Sequence, residues 1–318
     1  MLIFIGHELS AVTGASVYLD LLYRKCSVKK EIRRFHIGRV KLFWLFYNIL
    51  KFCHLALTHR HCAFHLNSAT NLYLAIIAKF FNLRFVLHIH ETPEFLGSAV
   101  WKSMLFKYVE ENLVFVDRRL AISYPKGTLI KNYVDVENMN GVHKRVENAL
   151  VFAVIGSIDR NKSQLTAIEF LKNQVISERL ILKLIGPLSD QSYLAKVNEA
   201  MRLANFTTIL SGLIEREQIH SEYDILLACS NYESYGLAVA EALILQKPVV
   251  FLNPNAYPKE FLECDNAFEV AEKLNDKQIQ RMLTGTSIEC QKHVLQRQGF
   301  ETLNRYYEKN FDIIDCFQ

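Results

Sequence analysis

The sequence has no uninterrupted run of 18 apolar residues, so nothing in it reads as a membrane-spanning helix. Its seven cysteines (26, 53, 62, 229, 264, 290 and 316) are scattered, with no Cys-x-x-Cys pair. That argues against a zinc site and a disulfide framework, and for a reducing, cytoplasmic compartment. The opening Met1-Leu2-Ile3-Phe4-Ile5-Gly6 lacks a basic leader and is too short for a signal peptide; it reads as a first strand. There is no low-complexity segment and no short repeat. No acidic cluster suggests a metal site, and no nucleic-acid motif accompanies the basic residues.

What is present is a chain of 318 residues, half of them hydrophobic. That suffices for two domains of about 150 residues, each with its own core. Charge divides them. Residues 1–135 hold 18 Lys/Arg against 9 Asp/Glu, and the remainder holds 19 against 24. A basic first half and an acidic second half imply different partners.

The most informative stretch runs from Ser230 to Pro248. Tyr223 to Cys229 before it reads as a buried parallel strand, and Leu237 to Gln246 within it reads as a helix ended by Pro248. Ser230 to Gly236 is then a loop between the carboxyl end of a strand and a helix N-terminus. Free amides and the helix dipole there suit a phosphate, and Gly236 permits close backbone approach. Glu233 in the loop and Glu241 eight positions later supply carboxylates that can accept hydrogen bonds from hydroxyls. A ligand that is part polyol and part phosphate, such as a sugar nucleotide, fits both. The plainer reading of an early-helix glutamate is a favourable partner for the dipole.

The string Ser230, Glu233, Ser234, Tyr235, Gly236, Leu237, Glu241, Ala242, Pro248, Val249, Val250 resembles the retaining glycosyltransferases of family 4. The resemblance extends outward. Gly14-Ala15 is similar to the family's small-residue pair facing the donor diphosphate, where a plain turn is the alternative. His90, at the end of the strand Phe85 to Glu91, looks like the family's histidine facing the transferred sugar, although His88 shares its side-chain parity. Lys162, in the loop after the strand Leu150 to Gly156, falls on the lysine that pairs with the diphosphate. Ser157 stands where that family often has an arginine, and Tyr133 replaces a usual glycine in Leu129 to Asp135.

The resemblance implies an α/β protein of the GT-B fold: two Rossmann-like doubly wound domains facing an interdomain cleft. Residues 1–136 would form the acceptor side and 149–298 the nucleotide-sugar side, with a linker at 137–148 and a helix in 299–318 crossing back to the first domain. Further elements are expected as helices at 99–115 and 289–307 and a strand at 119–123. It implies retaining transfer of a sugar from a nucleoside diphosphate sugar to a glycan or lipid-linked acceptor in cell-surface polysaccharide synthesis, without metal or other cofactor. Glu233, Lys162 and His90 would be catalytic, and Gly14, Ser234, Tyr235, Gly236, Leu237 and Glu241 would bind the donor. The alternative is a non-catalytic subunit that scaffolds or activates a partner glycosyltransferase. A GT-B epimerase or phosphorylase is less supported, since neither type's signature is found.

One segment stands apart. Between Arg24 and Lys51 nine Lys/Arg face a single acid, Glu31, and the run from Leu42 to Leu50 is strongly apolar and aromatic. A basic amphipathic helix of this kind can lie on an anionic membrane, making the protein peripheral to it. A core helix with a solvated basic face explains the same residues. A nucleic-acid partner is not expected.

Overall fold

The computed structural model describes residues 1–7, 14–35, 41–97, 99–143, 148–269, 273–284, 292–314 and 316–317, with side chains omitted at 7, 14, 41 and 292–300. Its contacts divide the chain into two compact units, 1–133 with 297–318, and 134–296.

In the first unit the order is β1 (Leu2–His7), α1 (Gly14–Lys25), β2 (Lys30–Phe35), α2 (Lys41–Thr58), β3 (Ala63–Asn67), α3 (Leu72–Phe80), β4 (Arg84–Ile89), α4 (Pro93–Leu96), α5 (Val100–Tyr108), β5 (Leu113–Phe115), α6 (Arg118–Ser123) and β6 (Thr128–Leu129). The strands form one parallel sheet in the order β2-β1-β3-β4-β5-β6. In β1 the run Leu2-Ile3-Phe4-Ile5 is buried throughout, which is why it is continuously apolar. Phe52, Phe64, Phe85, Phe106 and Phe115 share the core between the sheet and the helices.

The second unit repeats the plan with β7 (Ala149–Ile155), α7 (Gln164–Lys172), β8 (Arg179–Ile185), α8 (Gln191–Arg202), β9 (Thr207–Gly212), β10 (Ile225–Ala228), α9 (Leu237–Ile244), β11 (Val249–Phe251), α10 (Lys259–Leu262), β12 (Ala267–Glu269) and α11 (Asp276–Thr284). The sheet order is β12-β11-β10-β7-β8-β9, again parallel. The last helix, α12 (Lys292–Phe311), belongs to the first unit from Arg297 onward, where Tyr307 hydrogen-bonds the buried His65 of β3.

Both sheets reverse direction once. In the first, the chain runs outward from β1 to β2 and returns to β3 on the other side of β1; in the second, β10 pairs with the side of β7 away from β8. At such a switch point the loops leaving two adjacent strands splay apart, and the crevice at their carboxyl ends is where ligands bind in open α/β sheets.

Three local expectations need correction. Residues 119–123 are helical, because Asp117 caps α6 by accepting a hydrogen bond from the Arg119 amide at 2.8 Å. The helix expected over 99–115 stops at Tyr108, and Leu113–Phe115 is β5, paired with β4. Residues 24–51 are not one basic helix. Lys30, Arg33 and Arg34 lie on the edge strand β2, where charge discourages pairing with another chain, and the apolar run begins a separate helix, α2. Residues 8–13, Arg39 and 289–291 lie outside the described residues.

Candidate functional site

At the switch point of the second sheet, the loop after β7 meets the loop after β10. Gly156 ends β7 with φ +145°, and a Cβ there would lie 2.8 Å from Cε of Lys162. Glycine therefore lets the Lys162 side chain lie across the strand end. Asp159 folds the loop on itself: its carboxylate accepts from the Lys162 amide at 2.9 Å and from the Ser157 hydroxyl. Ser157 is thus a local turn former and brings no cation.

Lys162 Nζ pairs with Glu233 Oε1 from the opposite loop, and the Ser230 hydroxyl donates to the same oxygen at 2.8 Å. Burial alone would pull the Lys162 ammonium down; the Glu233 carboxylate, with Asp159 behind it, outweighs burial and holds it above the ordinary lysine value. Glu233 Oε2 has no protein partner among the described residues and remains open to a hydroxyl donor. Gly236, at φ +86°, passes into α9 with the Tyr257 ring against it; a Cβ would lie 3.2 Å from Tyr257 Cδ1. No side chain caps α9, so its first amides remain available to a ligand. A cavity of about 40 Å³ lined by Lys162, Ser230, Glu233, Gly236, Leu237 and Tyr257 marks their meeting point.

Of the residues singled out beforehand, Lys162, Glu233, Gly236 and Leu237 are therefore brought together. Ser234 is half-buried in the same loop, and Tyr235 turns its ring into the core against Phe261, leaving its backbone at the site. Glu241 is buried one turn into α9, in a separate cluster. Arg216 Nε and Nη2 donate to Oε1 at 3.1 and 2.7 Å, and His220 Nε2 lies 3.2 Å from Oε2. Tyr223 Oη is 2.5 Å from the other His220 nitrogen. Sequence reading missed Arg216 and His220. Their spacing of four was visible, but only a buried Glu241 makes a partner cation necessary.

The first unit carries a second polar cluster at the ends of β3 and β4. His90 Nε2 is 3.0 Å from Asn67 Oδ1, and Asn67 Nδ2 donates to the Ala15 carbonyl at the start of α1, the helix that Gly14 opens. Glu91 accepts from the Ser68 hydroxyl and from the Ala69 and His90 amides at 3.0 and 3.1 Å. Ser68 holds φ +79°, a strained value of the kind that clusters at functional sites. Burial lowers His90 to about 3, so its imidazole is neutral near pH 7 and offers hydrogen bonding without charge. His88 is fully buried beneath it, between the rings of His65 and Tyr18. His90 lies nearer the strand end.

Among the described residues, no group of three His, Cys, Asp or Glu side chains could hold a metal ion, and no helix is long and apolar enough to cross a membrane.

Comparison with known proteins extends these observations. HepE of Anabaena, in its complex with UDP-glucose, aligns over 98% of this chain and 95% of its own, with a TM-score of 0.66 at 14% identity. Sucrose-phosphate synthase from Thermosynechococcus elongatus aligns over 98% and 99%, with a TM-score of 0.67 at 15% identity. The fold is GT-B. Residues 135–286 match the family model described as glycosyl transferases group 1. A poly(ribitol-phosphate) alpha-N-acetylglucosaminyltransferase of Staphylococcus aureus (strain COL) is 22% identical over 188 residues, 56% of this chain and 38% of that protein. The family-model match lies within the second unit.

Proposed function

We propose that this chain is a retaining glycosyltransferase moving a sugar from a nucleoside diphosphate sugar to a hydroxyl of a glycan or lipid-linked acceptor, in cell-surface polysaccharide synthesis. The observation that carries the reading is the Lys162–Glu233 pair at the switch point beside the uncapped N-terminus of α9. In the reaction, the bond from the anomeric carbon to the β-phosphate oxygen breaks and the acceptor oxygen bonds the same carbon on the same face. The acceptor proton passes to the departing phosphate. Lys162 and the α9 amides meet the negative charge as it develops, which is where preorganised dipoles contribute most. Glu233 Oε2 takes the sugar's hydroxyls, Glu241 the ribose, and neutral His90 helps position the transferred sugar. The Lys162 ammonium and the amides supply the positive charge, so the reading needs no metal. Cytoplasmic, membrane-peripheral placement accompanies a lipid-linked acceptor.

UDP-sugars are the first donors to test, because HepE is seen with UDP-glucose. The test is calorimetric titration of UDP, GDP and ADP into wild type and Lys162→Ala, followed by a donor-sugar turnover screen. Binding of one nucleotide, lost in the variant, together with turnover, is the expected result. One observation favours a second reading: Ser157 bonds Asp159 and brings no cation to the phosphate site. Nucleotide binding without turnover on any acceptor would move a non-catalytic subunit of a partner glycosyltransferase ahead.

A further inference from the structure

Among the described residues, 14 of the 22 large apolar side chains exposed to solvent lie between Leu42 and Ile122, all in the first unit. The concentration has a structural origin. Helix α2 carries two apolar stripes. Phe52, Leu55 and Ala56 pack onto the sheet, while Phe46, Leu50 and Leu57 point away from it at helical spacing and are 60, 70 and 64% exposed. A helix with apolar residues on both faces normally has a partner on each; α2 has the sheet on one. Helix α5 repeats the arrangement, burying Phe106 and exposing Trp101, Met104 and Tyr108.

Helix α3 packs against both α2 and α5, so the outward stripes belong to one layer. Asn48 of α2 hydrogen-bonds Tyr73 of α3, and Lys79 of α3 donates to the Tyr108 carbonyl of α5 at 2.5 Å. Phe80, 77% exposed, continues the apolar surface at the end of α3.

The charges on this layer select the partner. Between Lys41 and Tyr108 there are seven Lys/Arg and two acids, Glu91 and Glu94. Glu91 is held inside the strand-end cluster, and Glu94 pairs with Arg119. Just beyond Tyr108, Glu110 accepts from the Lys126 amide at 3.0 Å and the exposed Glu111 lies 3.7 Å from the Lys126 ammonium, so each described carboxylate at this rim has a partner. Lys79 lies 5.0 Å from the centre of the Tyr108 ring and Lys102 5.8 Å from that of Trp101, with Lys107 exposed between them. Lysine is depleted in protein–protein interfaces. Lysine stems laid along aromatic rings, with ammonium groups at the rim of an apolar face, are instead the composition of helices that lie in a lipid headgroup region.

We propose that the outward face of α2, α3 and α5 docks the protein on an anionic lipid bilayer. Phe46, Leu50, Trp101 and Met104 enter the headgroup–acyl boundary, and Lys79, Lys102 and Lys107 meet lipid phosphates. This surface shares with the 24–51 segment only the apolar residues of α2: the cations of β2 sit on a sheet edge, whereas Lys79, Lys102 and Lys107 sit among the apolar residues. The proposal deepens the membrane-peripheral placement of the proposed function by naming its surface, and its failure is distinguishable from failure of the transfer reading because vesicle binding and nucleotide binding are measured separately.

The test is cosedimentation of the full chain with vesicles of phosphatidylcholine, with and without phosphatidylglycerol, at about 0.1 M salt. Trp101 emission is followed in parallel in a Trp44→Phe background. Wild type should prefer the anionic vesicles by about tenfold or more, with a blue-shifted emission. Phe46→Glu/Met104→Glu should lose about tenfold in vesicle affinity while keeping the wild-type melting temperature and nucleoside diphosphate binding. Lys102→Glu/Lys107→Glu, which leaves the apolar face intact, should abolish the preference for anionic lipid. Absence of wild-type binding to anionic vesicles overturns the proposal, as does equal binding by the Phe46/Met104 variant. A concentration-dependent dimer in sedimentation velocity, dispersed by the same variant with no vesicle binding, would assign the face to a second copy of the chain and also overturn it.

Discussion

Arg216 closes on Glu241 through two of its nitrogens, with Nη2 2.7 Å and Nε 3.1 Å from the same carboxylate oxygen. The guanidinium also donates to the Asp135 carbonyl at 3.0 Å, and His220 holds the second carboxylate oxygen. The glutamate proposed to hold a ribose is thus oriented by the protein's own cation. A carboxylate accepts about four hydrogen bonds, so a hydroxyl can be added without displacing Arg216.

The pair has a measurable consequence. Arg216→Ala leaves the buried Glu241 with His220 as its remaining side-chain partner. Removing one member of a buried ion pair costs several kcal/mol, and the part-exposed guanidinium reduces that here to about 1–3 kcal/mol. Denaturant titration should show this loss, and the Arg216→Ala/Glu241→Gln double variant should recover part of it through a coupling of about 1 kcal/mol or more. Additive effects would mean that the pair is idle.

Lys162 is expected to act on the departing diphosphate more than on the fold. Lys162→Met keeps the length of the side chain and removes its charge. Affinity for the nucleoside diphosphate and turnover should both fall, turnover by about 10²–10³-fold, the scale for losing one preorganised electrostatic contact. Glu233→Gln preserves the Ser230 contact, so it should impair turnover with less loss of nucleotide affinity. Unchanged turnover in Lys162→Met would remove the lysine from the mechanism.

How far these residues could be read in advance depended on their surroundings. Strands β7, β8, β10 and β11 were legible because strands buried on both faces are apolar runs, here bounded by Gly156, Gly186 and Pro248. Edge strand β2 was not, since Lys30–Phe35 contains two apolar residues in six. Helix α6 was missed because its Asp117 cap outweighs the apolar pattern that follows. Lys162 and Glu233 are 71 positions apart, and motif resemblance placed both in one loop pair without showing that they touch. Arg216 offered only its spacing of four from His220, because its role arises from a carboxylate 25 residues away whose burial only the folded chain reveals.

Two thiols remote from the site are in contact with each other. Cys26 and Cys316 lie with their sulfurs 3.8 Å apart, and Ser27 holds the Cys316 carbonyl through a 2.7 Å amide hydrogen bond. The hydrogen bond with Cys316 is the main influence lowering the Cys26 thiol to about 7, which raises its thiolate fraction. Treating the folded protein with diamide should form one intramolecular disulfide, the two thiol hydrogens passing to the diamide. Peptide mapping should recover a 26–316 link, and the cross-link should raise stability by about 2–5 kcal/mol until dithiothreitol reverses it. Cys26→Ser should abolish both effects. A link found only after unfolding would show that the folded geometry does not permit the bond.

The three neighbouring histidines of the first sheet make stability depend on pH. His65 and His90 are lowered to about 3, and His88 well below the ordinary value, chiefly by burial and secondarily, for His65 and His88, by neighbouring rings. Among the described residues both His88 nitrogens, His65 Nε2 and His90 Nδ1 have no hydrogen-bond partner, and Tyr18, Tyr307 and Asn67 around them carry no charge near neutrality. The unfolded chain binds protons on these rings below about pH 6.5, while the folded chain resists doing so until near pH 3. Their contribution is therefore complete above pH 6.5 and is lost as pH falls toward the folded values. Between pH 7 and 5 the loss should reach about 2 kcal/mol per histidine, read from guanidinium titrations in a range where most carboxylates are still ionised. His88→Leu removes one such ring and two unpaired nitrogens, so it should flatten the pH profile by about 2 kcal/mol and leave stability at pH 7 equal or higher. A stability curve flat from pH 7 to 5 in the wild type would show that water or rearrangement satisfies these rings, and the acid sensitivity would then have to come from elsewhere.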